Sequence, residues 1–340
     1  MKIVGQDSCI HVVDDNTAAW QVLKDITESG AQDDAFYVVD VDEIVRRHKN
    51  WMQYLPRVEP HFAIKCNDTN VAVSVMAALG TGFDCASKME IHKILKLGVD
   101  PRRIIFANPT KQMSHIRYAM TCGVDLMTFD NQDELNKIKA IYPTARLVLR
   151  IRCDSTKATY PLGSKAGAEM EDVEDILTVA RELDLNVIGV SFHVGSGCSD
   201  PPVYVRGVQL AHSVFQTASK LGFNFTLLNV GGGFPGKIGS SIIEYADLIN
   251  SALNIYFPEG DGIRFIAEPG RYFVESAYTL ATCIHSRRLT RNKNGENIYM
   301  YYINDGIYGS FNGRIFDNAG SVATPVPLKV SSTEPQALNG

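Results

Sequence analysis

Residues 187–195 read VIGVSFHVG and residues 227–233 read LLNVGGG, so that each apolar run ends in a polar residue or in glycines. Such nearly continuous runs of Val, Ile, Leu and Phe are typical of strands that are buried on both faces of a parallel sheet. Six similar runs precede them: AFYVVD from Ala35, HFAIKC from His61, GFDCAS from Gly82, RIIFAN from Arg103, DLMTFD from Asp125 and RLVLRIR from Arg146. The sequence therefore predicts eight buried strands.

Amphipathic segments with helical spacing separate these runs, for example KMEIHKILKLG, in which Gly98 stands where a helix would end. Alternating strands and helices predict parallel βαβ units, and eight of them predict the α/β class with a (β/α)8 TIM-like barrel. Seven of the runs end in polar residues or glycine, which predicts a site at the carboxyl ends of the strands. An open sheet would place its ligands mainly at one switch point. These seven ends are Lys65, Asp84, Asn108, Asp130, Arg150, His193 and Gly231–Gly233.

After Glu268 the sequence alternates apolar and polar residues, and RNKNGEN separates two such segments. Alternation of this kind predicts antiparallel strands joined by a turn. We expect a second domain here, an antiparallel and incomplete β domain. The predicted boundaries are 1–35 for an N-terminal segment that joins the β domain, 36–265 for the barrel, and 266–340 for the partial β domain with a loop-like tail.

Composition excludes several classes of protein. The 340 residues include 33 basic and 38 acidic side chains, a net charge of −5, which gives no electrostatic reason to expect nucleic acid or an anionic membrane as a partner. No apolar stretch reaches the roughly 18 residues of a membrane span, and the N-terminus does not resemble a secretory signal. Seven widely spaced cysteines without a C-x-x-C pair argue against a disulfide scaffold or a structural metal site. We expect a cytoplasmic protein without a bound metal.

Four features carry chemistry, and each has a plainer alternative. Lys65 is either a nucleophile whose pKa is lowered by burial or a member of a core ion pair. His193 precedes a glycine-rich loop that suits an anion, or it is a satisfied core histidine. The GGGFPG segment, 231–236, is either a phosphate loop or a flexible turn. Glu268 and Arg271, in EPGRY, form a site or an exposed ion pair. Together the four provide what pyridoxal 5'-phosphate (PLP) requires: a lysine for its aldehyde, a phosphate cradle and a carboxylate for its ring nitrogen.

The chain resembles the eukaryotic ornithine decarboxylase family from about residue 35 to about residue 318. The motifs that carry the resemblance are FAIKCND, GTGFDCASK, FANPTKQ, GVSFHVGSGC, GGGFPG, AEPGRY and YYINDGIYGSFN. The resemblance implies an alanine-racemase-like barrel that binds PLP and decarboxylates L-ornithine to putrescine in polyamine biosynthesis. It also implies a homodimer with shared active sites.

The resemblance assigns roles motif by motif. The implied catalytic residues are Lys65, which bonds to the cofactor, His193, which stacks on its ring, and Glu268, which pairs with the ring nitrogen. The implied supporting residues near the cofactor are Asp84 and Arg150, and the implied phosphate ligands are Ser196, Gly232, Gly233 and Arg271. Asp317 matches a substrate-binding aspartate, preceded here by Phe316 where the family usually has tyrosine. Asp130 and Lys165 resemble residues that pair across the dimer interface.

Two family blocks do not occur in the sequence: W-G-P-x-C-D, with a cysteine that returns a proton, and a later G-A-Y block. The resemblance ends near Ala319. We therefore expect a C-terminally truncated enzyme or one with impaired catalysis.

Two other functions stay open. The first is an antizyme-inhibitor-like binding protein. The segment Asn108–Ile141, with Lys111, Arg117, Lys137 and Lys139, covers the region where the family binds antizyme, although the same pattern suits an ordinary solvated helix face. The second is a related decarboxylase that acts on lysine, arginine or diaminopimelate.

Overall fold

The computed structural model describes residues 12–13, 17–30, 32–155, 157–160, 162, 165–316 and 326. These residues fall into two compact units. One unit comprises Val41–Ala277, and the other comprises the described parts of Asp7–Asp40 and Tyr278–Gly340.

The described strands are β1 (Phe36–Val39), β2 (Val58–Ala63), β3 (Gly82–Cys85), β4 (Ile104–Phe106), β5 (Leu126–Phe129), β6 (Arg146–Arg152), β7 (Ala158–Tyr160), β8 (Asn186–His193), β9 (Ser196–Cys198), β10 (Leu227–Asn229), β11 (Arg264–Ala267), β12 (Tyr278–Ala281), β13 (Ile284–Arg291) and β14 (Asn297–Ile303). The described α-helices are α1 (Ala19–Ser29), α2 (Val41–Tyr54), α3 (Asn70–Ala78), α4 (Lys88–Lys96), α5 (Met113–Thr121), α6 (Gln132–Ile141), α7 (Val173–Glu182), α8 (Pro202–Lys220), α9 (Ile243–Tyr256), α10 (Arg271–Val274) and α11 (Gly313–Phe316). Short 3-10 turns span Ile64–Cys66, Pro101–Arg103 and Met170–Asp172.

Eight parallel strands close into a barrel in the order β10-β11-β2-β3-β4-β5-β6-β8, which confirms the predicted (β/α)8 architecture. Its interior is apolar below the mouth, where six buried side chains pack together. These are Ile105, Ala107, Leu126, Val148, Leu227 and Ile266. Because every strand points the same way, all eight carboxyl ends meet at one mouth of the barrel.

Local signals in the sequence set the helix ends. The Ser87 hydroxyl accepts a hydrogen bond from the Glu90 N–H at 3.3 Å and begins α4, while Asn131 does the same for α6 through the Glu134 N–H at 2.9 Å. Gly98 follows α4 with a φ of 77°, the left-handed conformation predicted for it. Helices that begin and end where the sequence signals them bring each strand back to the same side of the barrel.

One of the eight predicted barrel strands was wrong. The AFYVVD run forms β1, which pairs antiparallel with β12 and lies outside the barrel. The eighth barrel strand is β11, Arg264–Ala267, which pairs with β10 and β2. A four-residue apolar run has the same appearance in either setting, and only the exposure of Tyr37, 51%, separates β1 from a strand covered on both faces.

The observed boundaries also differ from those expected. The barrel unit continues to Ala277 because residues 271–274 form helix α10, where alternation had predicted a strand, and Tyr272 and Phe273 of that helix are buried. At the other end, the unit begins at Val41 rather than at residue 36.

The second unit contains two antiparallel ribbons, β1 with β12 and β13 with β14. The predicted turn joins the second pair: the Glu296 carbonyl accepts from the Asn292 N–H at 2.9 Å, and Gly295 has a φ of 82°. This confirms the predicted antiparallel β structure beyond the barrel. A third ribbon, β7 with β9, was not predicted and belongs to the barrel unit. No helix in the described ranges is long and apolar enough to cross a membrane.

Candidate active site

Lys65 lies at the barrel mouth, in the 3-10 turn that follows β2, and forms an ion pair with Asp84 of β3. Half of the lysine side chain is accessible, whereas Asp84 is completely buried. Burial by itself lowers the pKa of Lys65, but the Asp84 and Glu268 carboxylates outweigh it, and the pKa lies above its ordinary value. The expectation that burial would lower the pKa of Lys65 was therefore wrong. Lys65 lies at the barrel mouth, as a nucleophile would, and it also forms the ion pair that was the plainer alternative.

The two carboxylate oxygens of Asp84 differ in their hydrogen bonding. Its Oδ2 accepts from Lys65, but its buried Oδ1 has no hydrogen-bond partner among the described residues. A buried carboxylate oxygen without a donor is costly, so it marks a place where a further polar group belongs.

Glu268 follows β11 and is 8% exposed. Its Oε1 accepts from the Asn229 Nδ2 at 2.6 Å, and its backbone N–H donates to the Gly231 carbonyl at 2.7 Å. Burial, assisted by the charge of Asp84, raises its pKa to about 7. A carboxylate with so high a proton affinity forms a strong pair with any proton-bearing nitrogen placed against it.

His193 ends β8, and Arg150 lies on the neighbouring strand β6, paired with Ser191. The His193 Nδ1 accepts from the Gly195 N–H at 3.0 Å, so the neutral ring carries its proton on Nε2. Burial, together with the charges of Arg150 and Lys65, holds the pKa of His193 well below its ordinary value. The His193 ring is therefore uncharged at the mouth, and the hydrogen bond from Gly195 fixes its orientation.

Ser196, which begins β9, and Arg271, which begins α10, meet at the mouth. Arg271 donates to the Ser196 Oγ from Nε at 3.1 Å and from Nη2 at 2.8 Å, and its guanidinium lies over the Tyr160 ring at 5.6 Å. A hydroxyl and a guanidinium side by side form a donor set that suits a phosphate.

The glycine segment, 231–236, follows β10. Gly231 and Gly233 have φ values of 68° and 110°, and an added Cβ at Gly232 would lie 2.9 Å from the His193 Nε2. The glycines thus let the loop backbone approach the strand ends closely. The N–H groups of Gly232 and Gly233 make no hydrogen bond with described backbone acceptors.

Comparison with known proteins identifies the family to which this chain belongs. Residues 41–275 match the family model described as "Pyridoxal-dependent decarboxylase, pyridoxal binding domain". The chain belongs to the pyridoxal-dependent decarboxylases. It is 47% identical to ornithine decarboxylase of Mus pahari over 323 residues, which cover 91% of this chain and 70% of that protein.

Two further relatives show how wide the family is. Antizyme inhibitor 2 of Xenopus laevis is 44% identical over 92% of this chain and 72% of its own length. The crystal structure of arginine decarboxylase from Paramecium bursaria Chlorella virus superposes with a TM-score of 0.86 at 36% identity, covering 93% of this chain and 83% of that one. The two relatives carry different functional names.

The residues at the mouth fit PLP, the cofactor of this family. Among the described residues, the Asp84 Oδ1 without a partner, the Gly232 and Gly233 N–H groups without a backbone acceptor, and the Ser196–Arg271 pair provide the polar groups that a charged, phosphorylated aldehyde needs. All the predicted cofactor residues lie in the barrel unit, on strand ends or in the segments that directly follow them.

The other predicted residues lie elsewhere. Both Asp130 oxygens have partners within the chain, the Gly167 N–H at 2.9 Å and the Asn131 Nδ2 at 2.7 Å, while Lys165 is exposed. Phe316 ends helix α11, but its side chain and all of Asp317 are outside the described residues.

Lys111 does not have the position that an antizyme contact would need. Its side chain is completely buried, with Nζ 2.8 Å from the Glu134 Oε1 and donating to the Thr128 carbonyl at 2.6 Å. The expectation that Lys111 belongs to a basic surface was therefore wrong, because the buried lysine links strand β5, through Thr128, to helix α6, through Glu134.

Sequence reasoning missed Asn229, the residue that holds Glu268. A signal was available: Asn229 is a polar residue at the end of the apolar run LLN, directly before VGGG.

Proposed function

We propose that this chain decarboxylates L-ornithine to putrescine and carbon dioxide, a step of polyamine biosynthesis. The observation that carries the proposal is the cluster of Lys65, Asp84 and Glu268 at adjacent strand ends, with the Ser196–Arg271 pair beside it. The identity to ornithine decarboxylases supports the choice of substrate.

Each residue has a distinct task in this proposal. Lys65 would bond to the cofactor aldehyde, and Asp84 would hold the Lys65 ammonium when that amine is not engaged. Glu268 would accept the proton-bearing ring nitrogen, and the neutral His193 ring would lie against the ring face. When bound, the protonated cofactor ring accepts the electron pair that carbon dioxide leaves behind.

The phosphate end has its own ligands. Ser196, Arg271 and the N–H groups of Gly232 and Gly233 would hold the phosphate, while Arg150 contributes positive charge near His193 and Glu268. Holding the phosphate in place would position the aldehyde of the cofactor at Lys65.

The distal amine of ornithine would be bound by Asp317, beside Phe316. An acidic residue there suits any basic amino acid, so lysine and arginine are the competing substrates, and the likeness to a viral arginine decarboxylase keeps arginine in view. We assign no residue of the 340 to the final protonation, which the family's W-G-P-x-C-D block would provide.

A direct test combines spectroscopy with turnover. The purified chain should gain a visible absorption band when PLP is added, and it should release carbon dioxide from carboxyl-labelled ornithine faster than from lysine or arginine. Lys65→Ala should lose both the band and the turnover, whereas Lys220→Ala, at the exposed end of α8, should keep both. A wild-type chain that gains no band would refute the cofactor role of Lys65.

A second candidate function is binding of antizyme without catalysis, supported by the identity to antizyme inhibitor 2. Within Asn108–Ile141, the exposed Arg117 of α5 and the partly exposed Lys137 and Lys139 of α6 present basic groups, with Lys111 removed from that surface. Charge reversal by Arg117→Glu with Lys139→Glu should weaken capture of purified antizyme, and Lys220→Glu should not. Equal capture by both variants would exclude this surface.

We further propose a cytoplasmic homodimer in which Asp130 and Lys165 lie at the subunit interface. The exposure of Lys165 supports its availability for such a contact. Lys165→Glu should shift the sedimentation coefficient toward that of a single chain, and an unchanged coefficient would exclude this pairing.

A further inference from the structure

Asn229 connects two parts of the site that otherwise belong to different strand ends. It ends β10 and is completely buried. Its Nδ2 donates to the Glu268 Oε1 at 2.6 Å, and its Oδ1 accepts from the Gly231 N–H at 2.9 Å. One side chain thus touches both the carboxylate and the first residue of the glycine segment.

The hydrogen-bond partners fix the orientation of the amide. A backbone N–H can only donate, so the amide oxygen faces Gly231 and the amide nitrogen is left to donate to Glu268. Rotating the amide by 180° would set donor against donor and oxygen against oxygen. Both partners therefore hold Asn229 in a single rotamer.

The same three residues form a closed ring of hydrogen bonds. The Glu268 backbone N–H donates to the Gly231 carbonyl at 2.7 Å, which completes the path from Asn229 through Gly231 and Glu268 back to Asn229. Displacing any one member disturbs the other two. The ring links the carboxylate at the strand end to the loop that carries Gly232 and Gly233.

We propose that Asn229 is a positioning residue that couples the two ends of the cofactor site, orienting Glu268 toward the ring nitrogen while it fixes the glycine segment toward the phosphate. This inference rests on the proposed role of Glu268. Because the Asn229 amide occupies Oε1, the second carboxylate oxygen is the one left for the cofactor.

An amide suits this position because it does not titrate. Its hydrogen bond opposes the rise in the pKa of Glu268 that burial and Asp84 cause. A carboxylate in place of Asn229 would lie against Glu268 and would have to share a proton with it.

The first test measures PLP affinity by equilibrium dialysis with Asn229→Ala. The loss of a hydrogen bond to a charged group predicts affinity weaker by about tenfold to a hundredfold. Asn250→Ala is the matched control, since Asn250 donates from Nδ2 to the Tyr54 carbonyl at 2.8 Å away from the mouth, and it should leave PLP affinity unchanged. Wild-type affinity in Asn229→Ala would overturn the proposal.

The second test uses Asn229→Asp and needs no turnover. The aspartate still accepts from the Gly231 N–H, so hydrogen exchange of the peptide that contains Gly231 in the cofactor-free chain should match wild type, whereas Asn229→Ala should exchange faster. PLP affinity of Asn229→Asp should fall with rising pH as the shared proton is lost, an alkaline limb that wild type lacks. An Asn229→Asp profile that parallels wild type, or equal exchange in all three proteins, would contradict the coupling.

A double substitution separates this inference from the proposed function. If Glu268→Ala weakens PLP binding and Asn229→Ala weakens it no further in that background, Asn229 acts through Glu268. If Glu268→Ala leaves PLP affinity unchanged, the proposed role of Glu268 fails. If only the Asn229→Ala effect is absent, the proposed function stands and this inference fails.

Discussion

Glu268→Gln isolates the electrostatic cost of the candidate site. The wild-type carboxyl is buried, and its pKa is raised from 4.5 to about 7. The folded protein therefore holds this proton more tightly than the unfolded chain does. Between about pH 4.5 and pH 7 the folded state binds more protons, so the free energy of unfolding falls as the pH rises.

The pKa values give the size of the effect. Since each pKa unit corresponds to about 1.4 kcal/mol, the cost at pH 8 is about 3 kcal/mol, and at pH 4 it is close to zero. Glutamine keeps an oxygen that can accept from the Asn229 Nδ2 but carries no charge. Relative to wild type, Glu268→Gln should therefore gain stability as the pH rises.

Urea unfolding of the cofactor-free chain at pH 5 and pH 8 measures this gain. The difference between variant and wild type should grow by up to about 3 kcal/mol between the two pH values. Other groups that titrate, such as His193, are present in both proteins and cancel in the difference. Glu244→Gln on α9 is the control for the Glu-to-Gln exchange itself. A pH-independent difference for Glu268→Gln would refute the reasoning that burial makes this carboxyl retain its proton.

Three further predictions concern the same barrel mouth and its substrate end. Lys65→Met should lower the free energy of unfolding by roughly 1–3 kcal/mol because it leaves the buried Asp84 charge uncompensated. Adding Asp84→Asn should restore most of the lost stability, and urea unfolding that shows no restoration would contradict the ion pair. Arg271→Lys keeps the charge but loses the two-pronged contact with Ser196, so equilibrium dialysis should give PLP affinity about tenfold weaker. Asp317→Ala should raise KM for ornithine, and an unchanged KM would remove its substrate role.

Much of the fold was readable because strand and helix signals are local. The polar ends of seven apolar runs predicted the barrel mouth, and these seven runs form barrel strands, whereas AFYVVD, which also ends in a polar residue, Asp40, lies outside the barrel. Glu268, after the overlooked strand β11, provides the missing eighth end. Strand membership was not readable, because pairing partners are distant along the chain and four apolar residues fit either sheet.

Some individual side chains were likewise predictable from the sequence, and others were not. Lys65, His193, Ser196 and Arg271 were predicted as site residues from their motifs, and the structure brings them to one mouth. The sequence by itself determined the strand–helix rhythm, the residue types at the strand ends and their family, since these depend on neighbours along the chain. Only the tertiary structure decided that Lys111 is buried, that Asn229 joins Glu268 to the glycine segment, and that the Lys65 pKa rises, because burial and charge pairing depend on residues that the fold brings together from distant strands.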